Sequence, residues 1–333
     1  MADKVVLWRP MYDQVGHRLL TDGGAELAIV DSSDAQDLVR ELRDAKALWV
    51  RTPERVTADI LDAADDLAIV STSGFGTDNI DIPAATARGI LVVNHQGFGR
   101  TPVSEHSIML MMAAMKQIRW GDRAARDGSA WDQRTGLEIF ELEGKTVGLV
   151  GLGYIGSELA RKLIHGFTCR VLAYDPYVDP RLALTSGVTL MDDLHAMLKQ
   201  CRILCLCAEL TDETRYIIAA DELAQLPDGA IVVNAARGQL LDLDALVKAL
   251  DNGPVAAAGL DVVYPEPLAA GHPVLTHDKI VLTPHIAGMS AEATNRLAHS
   301  AADQILAGLK GRMPKFPLNP AAWEGPNSRR PIP

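Results

Sequence analysis

Short, nearly continuous apolar runs recur along this chain, each separated from the next by a helical pattern, and that alternation leaves few folds open. In the first hundred residues the runs are 5–8, 27–30, 47–50, 67–70 and 90–93. Between them lie segments such as 34–45, where Leu38, Val39 and Leu42 repeat at helical spacing. A second series opens at Lys145, with runs at 146–150, 170–174, 203–208, 231–234, 256–260 and 280–283. Runs without polar alternation are expected of strands covered on both faces, as in a parallel sheet flanked by helices. The reading is an α/β protein built on doubly wound parallel sheets.

Its 333 residues suit about two domains of roughly 150 residues each. With 48% hydrophobic and 23% charged residues, most of the chain is expected to fold. A net charge of −11 repels nucleic acid and anionic lipid, so neither is an expected partner, and an anionic substrate would need local cationic groups. The longest apolar run, 108–115, falls short of the ~18–20 residues that span a bilayer, and no signal-peptide core follows the start of the sequence. Cys169, Cys201, Cys205 and Cys207 form neither a disulfide framework nor a zinc pattern, which points to a reducing compartment, the cytoplasm, and to no bound metal. Thr101-Pro102 starts a helix expected over 102–127, where Met109, Met111, Met112 and Met115 must be buried; core packing and a dimer contact satisfy this equally. A further helix is expected over 291–309. The tail, with Pro314, Pro317, Pro320, Pro326, Pro331 and Pro333, reads as extended or partly disordered.

The strand at 146–150 runs directly into Gly151-Leu152-Gly153-Tyr154-Ile155-Gly156, and a helical pattern follows from Ser157. In that context G-x-G-x-x-G is a dinucleotide loop. Gly151 allows the tight turn, Gly153 lets the backbone approach a pyrophosphate, and Gly156 lets helix pack on strand. The helix N-terminus turns its N–H groups and dipole toward the phosphates. Asp175 closes the next strand, where a carboxylate accepts hydrogen bonds from ribose hydroxyls and repels a 2′-phosphate. NAD is therefore favoured over NADP.

Three polar residues follow later strands: Arg237 in Asn234-Ala235-Ala236-Arg237-Gly238, Glu266 between Pro265 and Pro267, and His285 in Thr283-Pro284-His285. Singly, each reads as an ordinary loop residue. Behind a dinucleotide loop, at strand C-termini that line the ligand crevice, they read together as a site. Reduction of a 2-keto acid needs a hydride, a proton and a clamp for the carboxylate. An imidazole at 285 can give the proton, Glu266 can hold the ring, and Arg237 can polarise the keto oxygen and pair with the carboxylate.

These motifs, together with Asp242, the run Asp261 to Pro267 and the run Pro284 to Gly288, resemble those of the D-isomer-specific 2-hydroxyacid dehydrogenases, a family that includes 3-phosphoglycerate, glyoxylate/hydroxypyruvate and D-lactate dehydrogenases. The resemblance covers nearly the whole chain up to about Pro320. It implies two Rossmann-like domains, with a cofactor domain at 101–289 inserted into a discontinuous substrate domain at 1–100 and 290–333. It also implies that Arg237, Glu266 and His285 are the substrate-binding Arg, the His-supporting Glu and the acid/base His. Gly151, Gly153, Tyr154, Ile155, Gly156, Asp175, Ala208, Thr214, Ala235, Ala236, Arg237, Asp261, His285, Ala287 and Gly288 would line an NAD cofactor. The helix region at 102–127 would contribute to a homodimer.

The loop Ser71 to Asp81 carries Gly74 and Gly76, which can turn successive N–H groups toward one spot as an anion-binding nest. It looks like the family's loop for the substrate carboxylate, which makes Ser73, Gly74, Phe75 and Gly76 substrate-binding candidates. Phe75, where many relatives have a smaller residue, either narrows the pocket or stacks on an organic substrate. Arg51 lies in a stretch resembling the distal-anion site of phosphoglycerate dehydrogenases, and a solvated Arg fits it equally well. Arg100 is a candidate for the rim of the site. Arg51 and Arg100 leave open a phosphoglycerate-type enzyme with a dianionic substrate, and the resemblance also implies a second alternative, an NAD(H)-sensing, corepressor-like binding protein. Glu209 departs from the Pro usual before Leu-Thr in relatives.

Overall fold

The computed structural model describes residues 2–128 and 131–331. The chain divides into two units, Met1–Gly99 with Met289–Pro333, and Arg100–Gly288.

The first unit carries strands β1 (Lys4–Trp8), β2 (Glu26–Val30), β3 (Ala47–Val50), β4 (Ile69–Ser71) and β5 (Leu91–Val93). They form one parallel sheet in the order β2-β1-β3-β4-β5. Alternate residues of β3 enter different cores, which is why its sequence is apolar throughout. Ala47 and Trp49 pack with Leu7, Ile69 and, from the helix Ala291–Leu309, Ala301 and Ile305. Leu48 and Val50 pack with Val6, Leu38, Leu42 and Leu61. Short polar side chains start the helices: Asp34 accepts from the Gln36 N–H, and Ser290 Oγ from the Ala293 N–H at 3.1 Å.

The proline-rich tail departs from the expectation of an extended or partly disordered segment. Pro317 bridges Val93, and the Leu318 N–H donates to the Val92 carbonyl at 2.9 Å. Buried Asn319 accepts from the Val92 N–H at 2.7 Å and donates to Ile90 O at 3.0 Å. A turn of helix, Ala321–Glu324, then buries Trp323. Proline spacing marks where helix and ladder stop, but it carries no information about side chains that dock from afar. Pro333 lies outside the described residues.

The second unit carries β6 (Thr146–Val150), β7 (Arg170–Tyr174), β8 (Thr189–Leu190), β9 (Ile203–Leu206), β10 (Ala230–Asn234), β11 (Val255–Leu260) and β12 (Ile280–Leu282). The sheet is parallel, ordered β12-β11-β10-β9-β6-β7-β8, and the winding reverses between β9 and β6. Ligands of doubly wound sheets bind at such a reversal, beyond the strand C-termini. The helix expected over 102–127 is two helices, Arg100–Met115 and Ile118–Asp127, broken where Gln117 takes a left-handed φ of 48°. Leu110, Met111 and Met115 join the core of this unit, whereas Met109 and Met112 are exposed. Among the described residues no helix is long and apolar enough to cross a membrane.

The helix Tyr154–Phe167 holds a nearly buried carboxylate, Glu158, with a side chain 8% exposed. Arg161 Nη2 donates to it at 2.6 Å and Arg100 Nη2 at 2.7 Å. The hydrogen bond from Arg161, with that from Arg100, outweighs burial and pulls the carboxyl down to about 2. A depressed carboxyl stabilises the fold above its ordinary range near 4.5, and that contribution is lost as pH falls toward 2. Glu158→Gln is therefore expected to lower Tm at pH 7 by about 3 °C or more. The gap from the parent should narrow below pH 4.5 and close near pH 2. Thermal melts across that range check this, and a pH-independent gap refutes it.

Candidate active site

At the reversal point, the loop after β6 turns through Gly151, whose φ is 96°. A Cβ there would stand 2.7 Å from the Ala208 backbone N beyond β9, and one on Gly156 would stand 2.3 Å from the Gly151 carbonyl oxygen. Both positions exclude any side chain, because turn, strand and helix are in backbone contact. Above Gly153, by contrast, an added Cβ meets nothing within 4 Å, and no side chain caps the helix that starts at Tyr154. Asp175, at the end of β7, is anchored by the backbone: Oδ2 accepts from the Leu152 N–H at 2.8 Å, and Oδ1 from the Tyr177 and Val178 N–H groups at 3.0 and 3.1 Å. A carboxylate has about four acceptor positions, so Oδ2 retains one for a ribose hydroxyl. An open glycine, an uncapped helix start and an anchored carboxylate fit a dinucleotide. Ile155 is half-buried and Tyr154 exposed. Thr214 spends its hydroxyl locally, donating to the Glu209 carbonyl at 2.6 Å.

Neighbouring strands β10, β11 and β12 end in the segments that carry Arg237, Glu266 and His285. After β10, fully buried Asn234 staples the turn. Its Oδ1 accepts from the Ala236 N–H at 3.0 Å and its Nδ2 donates to the Arg237 carbonyl at 2.9 Å. Ala235 is buried and Ala236 half-buried in that turn, and Arg237 Nη1 donates to the Ala236 carbonyl at 2.8 Å. The next residue is glycine because a Cβ on Gly238 would lie 2.1 Å from the Val263 carbonyl oxygen. That contact seats the 261–267 loop against the 234–238 turn. Glu266 Oε1 accepts from the Val263 N–H at 3.1 Å, and Oε2 lies 2.8 Å from His285 Nδ1. An ionised carboxylate only accepts, so the His285 proton toward it sits on Nδ1, and Nε2 is the nitrogen left for proton exchange. His285 has a left-handed φ of 55°. Its loop is gripped by buried Asp261, which accepts from the Ile286 and Ala287 N–H groups, both at 2.9 Å. Gly288 ends this unit.

In the first unit, the loop after β4 differs from the expected nest in its conformation. Neither Gly74 nor Gly76 has a positive φ. Instead, the Gly74 carbonyl accepts from the His95 N–H at 2.9 Å and the Phe75 carbonyl from Asn94 Nδ2 at 2.9 Å. In a planar trans peptide the N–H opposes its carbonyl, so those of Phe75 and Gly76 turn the other way. Ser73 Oγ donates to the Val50 carbonyl at 3.0 Å. His95 is a buried support. Gln304 Nε2 donates to its Nδ1 at 3.2 Å, and its Nε2 donates to the Thr72 carbonyl at 3.1 Å. Burial holds this imidazole down to about 4, so it stays neutral. Arg51 lies over the Tyr12 ring at 5.2 Å, with a buried Nε that has no hydrogen-bond partner among the described residues. Arg100, expected at the rim of the site, is ion-paired with Glu158 at 2.7 Å in the second unit.

The family model for the D-isomer specific 2-hydroxyacid dehydrogenase NAD binding domain matches residues 108–287. The chain is similar to the D-3-phosphoglycerate dehydrogenase of Archaeoglobus fulgidus, 39% identical over 288 residues that cover 86% of this chain and 54% of that protein. It spans about half the length of the phosphoglycerate dehydrogenases it matches. Likeness to the glyoxylate reductase of Thermofilum pendens is 38% over 289 residues, covering 85% of this chain and 84% of that one. A crystal structure of a Thermus thermophilus protein matches with a TM-score of 0.86 at 31% identity, over 95% of this chain and 99% of its own. With the dinucleotide loop, the His285–Glu266 pair and the doubly wound sheet all in one unit, these matches bear out the resemblance read from the motifs: the chain belongs to the D-isomer specific 2-hydroxyacid dehydrogenase family.

Proposed function

We propose that this protein is an NAD-dependent oxidoreductase that interconverts a 2-keto acid and a D-2-hydroxy acid. The observation that carries the reading is the 2.8 Å pair of His285 Nδ1 and Glu266 Oε2, on the same sheet edge as the dinucleotide loop. Bound nicotinamide dinucleotide supplies or accepts the hydride at the substrate's second carbon. Protonated His285 gives its Nε2 proton to the carbonyl oxygen during reduction and takes it back during oxidation. Glu266 fixes the ring and stabilises the imidazolium. Arg237 polarises the keto oxygen and pairs with the carboxylate. In the first unit, the loop Ser73 to Gly76 offers the N–H groups of Phe75 and Gly76 to an anion; its support is that the Gly74 and Phe75 carbonyls are held by His95 and Asn94. The cytoplasm suits the chain's free cysteines.

NADH oxidation is to be followed against glyoxylate, hydroxypyruvate, pyruvate, phenylpyruvate, 2-oxoglutarate and phosphohydroxypyruvate. His285→Ala is expected to lower kcat by about 100-fold or more with NADH affinity within a few-fold. Unchanged turnover removes the acid/base assignment. Silence of the parent across the panel, with tight NADH binding, turns the reading toward a sensor.

Asp175→Ala removes the carboxylate that would oppose a 2′-phosphate, so the ratio of kcat/KM for NADH to that for NADPH should fall, by about tenfold. An unaltered ratio removes the basis for NAD preference.

A homodimer through the 102–127 region is part of the proposal, supported by exposed Met109, Met112 and Ile118 on its two helices. Met112→Glu should shift the mass measured by light scattering from dimer to monomer, and a monomeric parent rejects the dimer.

A further inference from the structure

We propose that His106 is a positioning residue that holds His285 in its working conformation through Thr283 and Asp261. The inference rests on the dehydrogenase reading above. His106 stands on the helix Arg100–Met115 with a side chain 14% exposed, and it takes no part in the chemistry described so far.

The hydrogen-bond directions make a one-way relay. The Thr283 hydroxyl donates to Asp261 Oδ1 at 2.6 Å. Its single proton is thereby used, so at 2.9 Å from His106 Nε2 its oxygen must accept. His106 therefore carries a proton on Nε2, which also lies 3.4 Å from Asp261 Oδ1. Asp261, 2% exposed, passes the restraint on by accepting from the Ile286 and Ala287 N–H groups at 2.9 Å each. The His285 N–H donates to the Asp261 carbonyl at 2.8 Å and to the Thr283 carbonyl at 3.1 Å. Burial pushes the Asp261 carboxyl up, yet hydrogen bonds from His106, Thr283 and the two N–H groups hold it below the usual range, so it remains a charged acceptor.

What the relay holds is a conformation that side-chain-bearing residues rarely adopt, the φ of 55° at His285. Relaxation of that angle would swing the imidazole away from Glu266. Without the His106 donor, the Thr283 hydroxyl and the Asp261 carboxylate lose a restraint on one side, and the loop is freer to relax. Because His106 acts behind the loop that carries His285, its loss should appear chiefly in kcat.

The test uses the full chain and the keto acid it reduces best. His106→Leu should lower kcat about tenfold, with the KM for that acid and the Kd for NADH within about twofold. His106→Gln, which keeps a donor near Nε2, should recover most of the loss. Thr283→Val, which breaks the relay without touching the helix, should reproduce it and decides the matter if His106→Leu does not fold. Combined with His285→Ala, neither change should slow the reaction further. A kcat within twofold of the parent in both single variants overturns the inference, as does a loss that multiplies with that of His285→Ala. His285→Ala alone tests the dehydrogenase reading: if it keeps full turnover, that reading fails, and if it loses turnover while His106→Leu does not, only the role of His106 fails.

Discussion

Seven parallel strands bring their C-terminal ends to a single edge of the 100–288 unit, and the candidate site depends on that shared direction. Parallel pairing returns each connection across the sheet, so functional segments distant in sequence emerge side by side. The dinucleotide loop follows β6, its acidic partner ends β7, and Arg237, Glu266 and His285 follow three neighbouring strands. Strand order alone does not set side chains within bonding distance. The close approach of Gly238 to Val263 brings the 261–267 loop onto the 234–238 turn, and the Glu266–His285 bond then joins that loop to the next.

Much of this was legible in the sequence where the constraint is local. Both-faced burial writes itself as apolar runs, and backbone contact at Gly151 and Gly156 admits only glycine, so strands and dinucleotide loop could be read directly. Less legible were features decided by remote contacts. The two-residue β8 is too short for any periodicity. The break at Gln117 and the docking of the 317–329 segment have no local signature. The loop at 71–76 was read by its glycines, yet its peptides are oriented by Asn94 and His95. Arg237, Glu266 and His285 stood out as polar residues after strands. Thr283 and His106 did not, because Thr283 meets Asp261 22 positions away and His106 meets Thr283 177 positions away.

Three buried polar side chains share one task. Asp261, Asn234 and His95 each sit beneath a loop that follows a strand and bond its backbone. Burial without partners would destabilise the fold, so each of the three depends on the hydrogen bonds it makes. Loops are ordinarily the mobile part of a domain. Here buried polar side chains bond the loop backbone from below.

The return of the chain to its first sheet bears on how the protein is made. The 100–288 unit is one uninterrupted stretch, whereas the other unit needs residues from both ends of the sequence. Its edge strand β5 exposes backbone groups that the 317–319 segment later covers, and its core lacks Ala301 and Ile305 until the helix Ala291–Leu309 is present. On a ribosome, then, the inserted unit can complete its sheet while the first five strands still wait, with an open edge of the kind that invites pairing with other chains. Assembly order thus runs opposite to synthesis order: the segment made first is the last to be finished.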